Sequence, residues 1–138
     1  MSEFIETKGL KKIYSIGDQR VEALKGVDLE ITKGDFAVFM GHSGSGKTTF
    51  VSTIGGLTRP TEGTVLIEGN DIWKLNDRQL SNFRNKKIGF MFQSFSLLPT
   101  LNVLNNVVMP RIFSNDSPQK YKDELRSKEI SLLKDLDM

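Results

Sequence analysis

The stretch Phe36-Ala37-Val38-Phe39-Met40-Gly41-His42-Ser43-Gly44-Ser45-Gly46-Lys47-Thr48-Thr49 decides how this chain is read. It opens on five apolar residues of the kind buried on both faces of a parallel sheet, then runs into a glycine-rich loop. The spacing predicts a helix over Lys47 to Ile54, closed by Gly55-Gly56, so the local order is strand, loop, helix. Gly41 to Thr48 fit the pattern G-x-x-x-x-G-K-[ST]. Glycines in that pattern let successive backbone N–H groups turn inward around phosphate oxygens, and the helix N-terminus adds its positive end. The chemistry assigns Lys47 to the β- and γ-phosphates, the Thr48 hydroxyl to Mg²⁺, and Thr49 to the α-phosphate, with Gly41, Ser43, Gly44, Ser45 and Gly46 completing the cradle. At ordinary residue frequencies four fixed positions coincide in roughly one chain in 200 of this size, and the flanking strand and helix make a mere flexible turn rarer still. His42 occupies a variable position and reads as an exposed loop side chain.

Upstream of the loop the pattern alternates like antiparallel strand. Phe4-Ile5 and Leu10 to Tyr14 lead to a polar turn, Gly17-Asp18-Gln19-Arg20, followed by Val21 to Leu24 and Val27 to Ile31. Lys33-Gly34-Asp35 then turns into the apolar run. Downstream, Arg59-Pro60-Thr61-Glu62-Gly63 has turn chemistry, Thr64 to Ile67 reads as a strand, and Glu68-Gly69-Asn70-Asp71 as another turn. Asp77 to Asn85 is predicted as a short helix and Ile88 to Phe92 as a buried strand ending at Gln93. Ser117-Pro118 marks the start of a last helix with Tyr121, Leu125, Leu132, Leu133 and Leu136 on its apolar face. Trp73 reads as structural.

The chain has 138 residues, enough for one domain with a core, and its 26% charged residues exclude neither a globular fold nor a surface partner. Nineteen basic against 17 acidic residues leave a net charge of +2, too little to argue for nucleic acid or an anionic membrane as a partner. The run Arg84-Asn85-Lys86-Lys87 reads as solvated surface. Cysteine is absent, which excludes disulfides and thiolate chemistry. No segment approaches the ~20 apolar residues of a spanning helix, so no direct membrane span is expected.

Several separate pieces resemble, in order, the ATP-binding subunits of ABC transporters from about Leu10 to Met138. They are Leu10-Lys11-Lys12-Ile13-Tyr14, Val21-Glu22-Ala23-Leu24-Lys25-Gly26-Val27, Gly44-Ser45-Gly46-Lys47-Thr48-Thr49, Gly56 to Gly63, and Ile88-Gly89-Phe90-Met91-Phe92-Gln93. The stretch from Arg84 to Leu101 is most similar to the macrolide-exporter and lipoprotein-releasing branch. The resemblance implies an α/β fold: a P-loop NTPase-like parallel sheet core, an antiparallel β subdomain at the N-terminus, and the start of a helical subdomain. It divides the chain into 1–93 and 94–138 and leaves the domain incomplete. It further implies ATP and Mg²⁺ as cofactors, Tyr14 stacked on adenine, Val21 beside the same base, and Gln93 joining Thr48 around the metal. A transmembrane permease subunit would dock on the region after Gln93, and a second nucleotide-binding subunit would face the first. That arrangement puts the chain in the cytoplasm, peripheral at the inner face of the membrane. By their own pattern Tyr14 also reads as a half-buried sheet tyrosine and Val21 as core. Phe95 to Val108 fits a docking surface or helical packing equally.

The family's hydrolysis needs an Asp-Glu pair at the end of an apolar run, and none is present. Asp123-Glu124 follows the polar Gln119-Lys120-Tyr121-Lys122, and Asp135 follows Lys134. The Leu-Ser-Gly-Gly-Gln signature and a downstream histidine are missing too, and Ser15-Ile16-Gly17-Asp18-Gln19 lies in a turn before the loop. The catalytic set is therefore incomplete. The expectation is an N-terminal portion that binds Mg-ATP without turnover by itself. Two alternatives stand beside it: a non-enzymatic fragment that self-associates through unpaired apolar strands, and a small P-loop kinase, for which no acceptor site or lid is visible.

Overall fold

The structure, a computed structural model, describes residues 3–94, 97–103, 105, 106, 109, 130, 131 and 134. The apolar face expected on the last helix (Tyr121, Leu125, Leu132, Leu133, Leu136) lies outside the described residues, as does part of Phe95 to Val108. The chain divides into two compact units, Met1–Arg84 and Asn85–Met138, each described by itself.

The first unit is built on a long hairpin. β1 (Glu3–Ile16) and β2 (Gln19–Thr32), 14 residues each, pair antiparallel across the turn at Gly17-Asp18. β3 (Glu62–Ile67) pairs antiparallel with the other edge of β1, and the two-residue β4 (Asn70–Asp71) folds back on β3, giving the order β2-β1-β3-β4. The first residue of β3, Glu62, sits opposite Lys11, whose ammonium it holds at 2.7 Å. The hydrogen bond and the charge of Glu62 raise the Lys11 pKa above its ordinary value. A raised lysine pKa means the pair's contribution is fully present at neutral pH and is lost only in strong alkali; both groups are exposed, so that contribution is small.

The unit also holds α1 (Lys47–Ile54), a short 3-10 turn over Ile72–Lys74 and all but the last three residues of α2 (Asp77–Lys87). α1 ends at Gly55, whose N–H reaches Val51 O at 2.9 Å. α2 starts with a reciprocal pair: Asn76 N–H donates to Gln79 Oε1 at 3.1 Å and Gln79 N–H to Asn76 Oδ1 at 2.9 Å. Arg84 then donates to Gly56 O at 2.9 Å, placing a cation at the C-terminal end of α1. The buried apolar side chains are Leu10, Leu24, Phe50, Val65, Ile67, Ile72 and Leu80. Two buried threonines satisfy their hydroxyls, Thr7 across the hairpin on Val27 O at 3.0 Å and Thr53 within α1 on Thr49 O at 2.7 Å. Leu10 has no exposed surface, so Leu10→Ala is expected to cost about 3 kcal/mol, read as a lower urea midpoint at unchanged slope.

The hairpin is not regular. Lys12 pairs with Leu24 but Ile13 pairs with Glu22, which leaves Ala23 as an extra residue in β2. Residues directly opposite share a face, and Lys12 and Tyr14 lie on the same face of β1. Their partners, Leu24 and Val21, therefore also share a face although they stand three positions apart. Without the bulge, that spacing would put them on opposite sides.

The two segments expected as buried parallel strands differ from that expectation. Residues 36–40 and 88–92 carry no strand, and the described sheet holds only antiparallel pairs. Phe36, Val38 and Met40 are 93%, 61% and 88% exposed, and Met91 is 95% exposed. An apolar run becomes a buried parallel strand only when neighbours hydrogen-bond it on both sides and helices cover its faces. Among the described residues no strand pairs with either segment. Phe39 meets Phe50 of α1 edge-on with centroids 5.0 Å apart, and Phe90 and Phe92 contact each other within the second segment at 4.8 Å.

In the second unit, Asn106 ties its own loop. Its Oδ1 accepts from Leu98 N–H at 2.8 Å while its Nδ2 donates to Leu98 O, Leu101 O and Asn102 O within 3.2 Å. Among the described helices none is long and apolar enough to cross a membrane.

Candidate nucleotide site

The loop between Met40 and α1 is shaped by glycines in conformations that other residues avoid. Gly44 and Gly46 have φ of +78° and +88°, and Ser45 N–H closes a turn onto His42 O at 3.3 Å. At Gly46 a second constraint applies, because a Cβ there would lie 2.3 Å from the Ala23 carbonyl oxygen. The bulge of β2 therefore runs directly against the loop. Gly46 is required by that backbone as much as by its own torsion.

Gly46 also caps α1, and it offers no side chain to do so. The first intrahelical bond is Phe50 N–H to Gly46 O at 2.8 Å, and the first turn contains no acidic residue. The leading N–H groups of α1 thus have no intrahelical acceptor and no capping side chain, which suits an anion. Lys47 adds a positive charge at the same end. Its Nζ donates to Gly41 O at 2.8 Å, His42 O at 2.6 Å and Ser45 Oγ at 3.1 Å, so the ammonium lies across the loop. A phosphate group fits this donor set: one cation, several backbone N–H groups and two hydroxyls, Ser45 and Thr48, without a competing carboxylate in the first turn.

The loop and the hairpin form one pocket of about 380 Å³, lined by Val21, Glu22, Ala23 and residues 43–49. Of the expected site residues, Val21, Ser43, Gly44, Ser45, Gly46, Lys47, Thr48 and Thr49 come together in it, and Gly41 joins through Lys47. Tyr14 lies directly across the hairpin from Val21, 38% exposed, at the same end. Gln93 belongs to the second unit, so its partnership with Thr48 rests on the resemblance alone. No group of three or more acidic, histidine or cysteine side chains suited to a metal occurs among the described residues. Glu22 and Ala23 were not anticipated as wall residues. They lie at the β2 bulge, which nothing in the local sequence announces.

A model of the ABC transporter family matches residues 24–137 of the chain. A lipoprotein-releasing system ATP-binding protein of Alcanivorax borkumensis is 41% identical over 126 residues, covering 91% of this chain and 54% of that protein. A macrolide export ATP-binding/permease protein of Bdellovibrio bacteriovorus is 43% identical over 112 residues, 81% of this chain and 17% of that one. Among solved structures, a dimeric ATP-binding cassette in a post-hydrolysis state, bound to ADP and Pi, gives a TM-score of 0.83 at 41% identity, covering 94% of this chain and 56% of its own. The chain spans about half the length of the curated ATP-binding relatives it matches. The likeness to a solved cassette, with the antiparallel sheet and helices above, bears out the expected α/β class with its N-terminal antiparallel subdomain, and an incomplete domain. The glycine loop backed by a β-bulge, the helix it opens, and a family match over most of the chain lead to one conclusion: this chain belongs to the ABC transporter family.

Proposed function

We propose that this chain is the ATP-binding portion of an export-type or lipoprotein-releasing ABC transporter, energising movement through a membrane subunit. The observation that carries this reading is the single pocket in which the phosphate loop meets the Val21 end of the hairpin, with Tyr14 beside it. In it, Lys47 and the leading N–H groups of α1 hold the phosphates, and Tyr14 and Val21 receive the adenine. Thr48 would hold Mg²⁺, with Gln93 as the second ligand that the resemblance implies, and the metal would supply positive charge to the phosphates. Two such cassettes face each other in the whole transporter, and the permease docks beyond Gln93 at the cytoplasmic side of the membrane. Since the Asp-Glu pair that would order metal and water is not in this chain, binding without turnover is the expected behaviour of the purified chain.

Calorimetric titration with ATP, with and without Mg²⁺, tests the reading. The unmodified chain should bind ATP more tightly when Mg²⁺ is present, and Thr48→Ala should lose most of that difference while keeping metal-free binding. A Thr48→Ala chain with full Mg²⁺ enhancement would remove this hydroxyl from the metal. No binding by the unmodified chain would overturn the proposal itself.

A further inference from the structure

β1 carries a cation beside its exposed aromatic. Lys12 and Tyr14 lie on one face of the strand, and the Lys12 Nζ stands over the Tyr14 ring, 5.1 Å from its centroid. The ammonium is not free to wander, because it donates to Arg59 O at 2.8 Å. That carbonyl is itself fixed from two sides. The Arg59 guanidinium lies over the Trp73 ring at 5.3 Å and donates to Trp73 O at 2.9 Å. Two residues further on, Thr61 N–H binds Lys11 O at 2.8 Å and the Thr61 hydroxyl accepts from Ile13 N–H at 3.0 Å, lacing the segment along β1. Trp73, Arg59, Lys12 and Tyr14 thus form a continuous row of contacts ending on the aromatic next to Val21.

We propose that Lys12 is a positioning residue for the nucleotide base: anchored on the Arg59 carbonyl, its ammonium occupies one face of Tyr14 and presents the other to a purine. The inference rests on the ATP-binding reading above and extends it to a residue that touches neither phosphate nor metal. The physical case has two parts. A cation on one face of an aromatic ring is attracted by its π-density, which fixes the ring where a neutral neighbour would let it turn about χ1 and χ2. The same cation draws density from the ring, which favours stacking of an electron-rich base on the opposite face. Tyr14 is 38% exposed and has Val21, a pocket-lining residue, as its cross-strand neighbour, so part of the ring is accessible near the pocket.

The test measures ATP and inorganic tripolyphosphate binding to the same chain by calorimetry. Tripolyphosphate has the phosphates but no base. Lys12→Met, which keeps length and loses charge, should weaken ATP binding about three- to fivefold and leave tripolyphosphate binding unchanged, which also shows that the variant is folded. Lys12→Arg should recover most of the loss. In a Tyr14→Ala chain, already weaker for ATP, adding Lys12→Met should change nothing further, because the ring it acts through is gone. Equal weakening of both ligands, or unaltered ATP binding, would overturn the role of Lys12. If the unmodified chain bound tripolyphosphate and ATP with the same affinity, no base subsite would exist, and the inference would fall with the adenine part of the reading. Binding of neither ligand by the unmodified chain would sink the ATP-binding reading itself, so the failures are distinguishable.

Discussion

Lys47→Ala is expected to weaken nucleotide binding by at least about 100-fold, the equivalent of roughly 3 kcal/mol, while leaving the fold nearly as stable as before. The ammonium contributes charge-assisted hydrogen bonds, each worth about 1.5–3 kcal/mol in a site of this kind, and no neighbouring side chain can replace it. Its present partners, the carbonyls of Gly41 and His42, belong to exposed residues and regain water when the side chain is removed. The urea midpoint should therefore move little. The phosphates, held otherwise by backbone N–H groups and hydroxyls, lose the only side-chain cation of the loop. Lys47→Met serves as a control that keeps the aliphatic stem. Calorimetry with Mg-ATP gives the decision: equal heats from the unmodified chain and either variant would take the phosphates out of this loop altogether.

Gly46→Ala should damage both stability and binding, unlike Lys47→Ala. A Cβ at this position lies 2.3 Å from a backbone oxygen of Ala23, which has no rotamer by which to yield, and the torsion is left-handed as well. Either the loop leaves its cradle shape or the bulge of β2 shifts, and each disturbs neighbours on the buried side, Leu24 first. An expected loss of about 2–4 kcal/mol follows from strain plus overpacking. Gly44→Ala supplies the comparison. Its φ of +78° is similarly left-handed, but a Cβ there meets nothing within 4 Å, so only the torsional penalty of about 1 kcal/mol applies. Thermal melting of the two variants should separate them clearly. A melting curve for Gly46→Ala that overlays that of Gly44→Ala would show that β2 does not press on the loop.

What could be read from the residues, and what could not, divides by the range of the interaction that settles each element. α1 runs over the residues expected, Lys47 to Ile54, because a helix that starts at a glycine loop and stops at Gly55 is fixed by neighbours a few positions away. The hairpin was legible for a similar reason, since alternation and a Gly-Asp turn are local signals. Its inner irregularity was not. Nothing in Val21-Glu22-Ala23-Leu24 says that Ala23 is the extra residue, because that depends on how β1, β2 and the loop meet. Asn70-Asp71 read as part of a turn and form a two-residue strand, their pairing with Leu66 and Ile67 being too short to leave a periodicity. Residues 36–40 show the reverse case: their composition states a preference for burial between neighbouring strands, and composition cannot supply the neighbours. At the site, the glycine loop could be picked out because its residues are consecutive. The wall formed by Glu22 and Ala23 could not, and neither could the cation over Tyr14, which depends on a carbonyl 47 residues away in sequence.

The odd residue in β2 also ties the length of the chain to the shape of the pocket wall. Because Val21 and Leu24 look to the same side only through the extra Ala23, deleting that one residue would restore a regular ladder and force a choice. Either Leu24 stays in the core and Val21 turns away from the pocket, or Val21 keeps its place and Leu24 is drawn out into water. The turn at Gly17-Asp18, by contrast, lies beyond the last residue that touches the loop, so residues inserted there lengthen the hairpin without disturbing this relation. Variation in length is thus tolerable at the tip of the hairpin and forbidden between Val21 and Leu24, four to seven residues after Gly17.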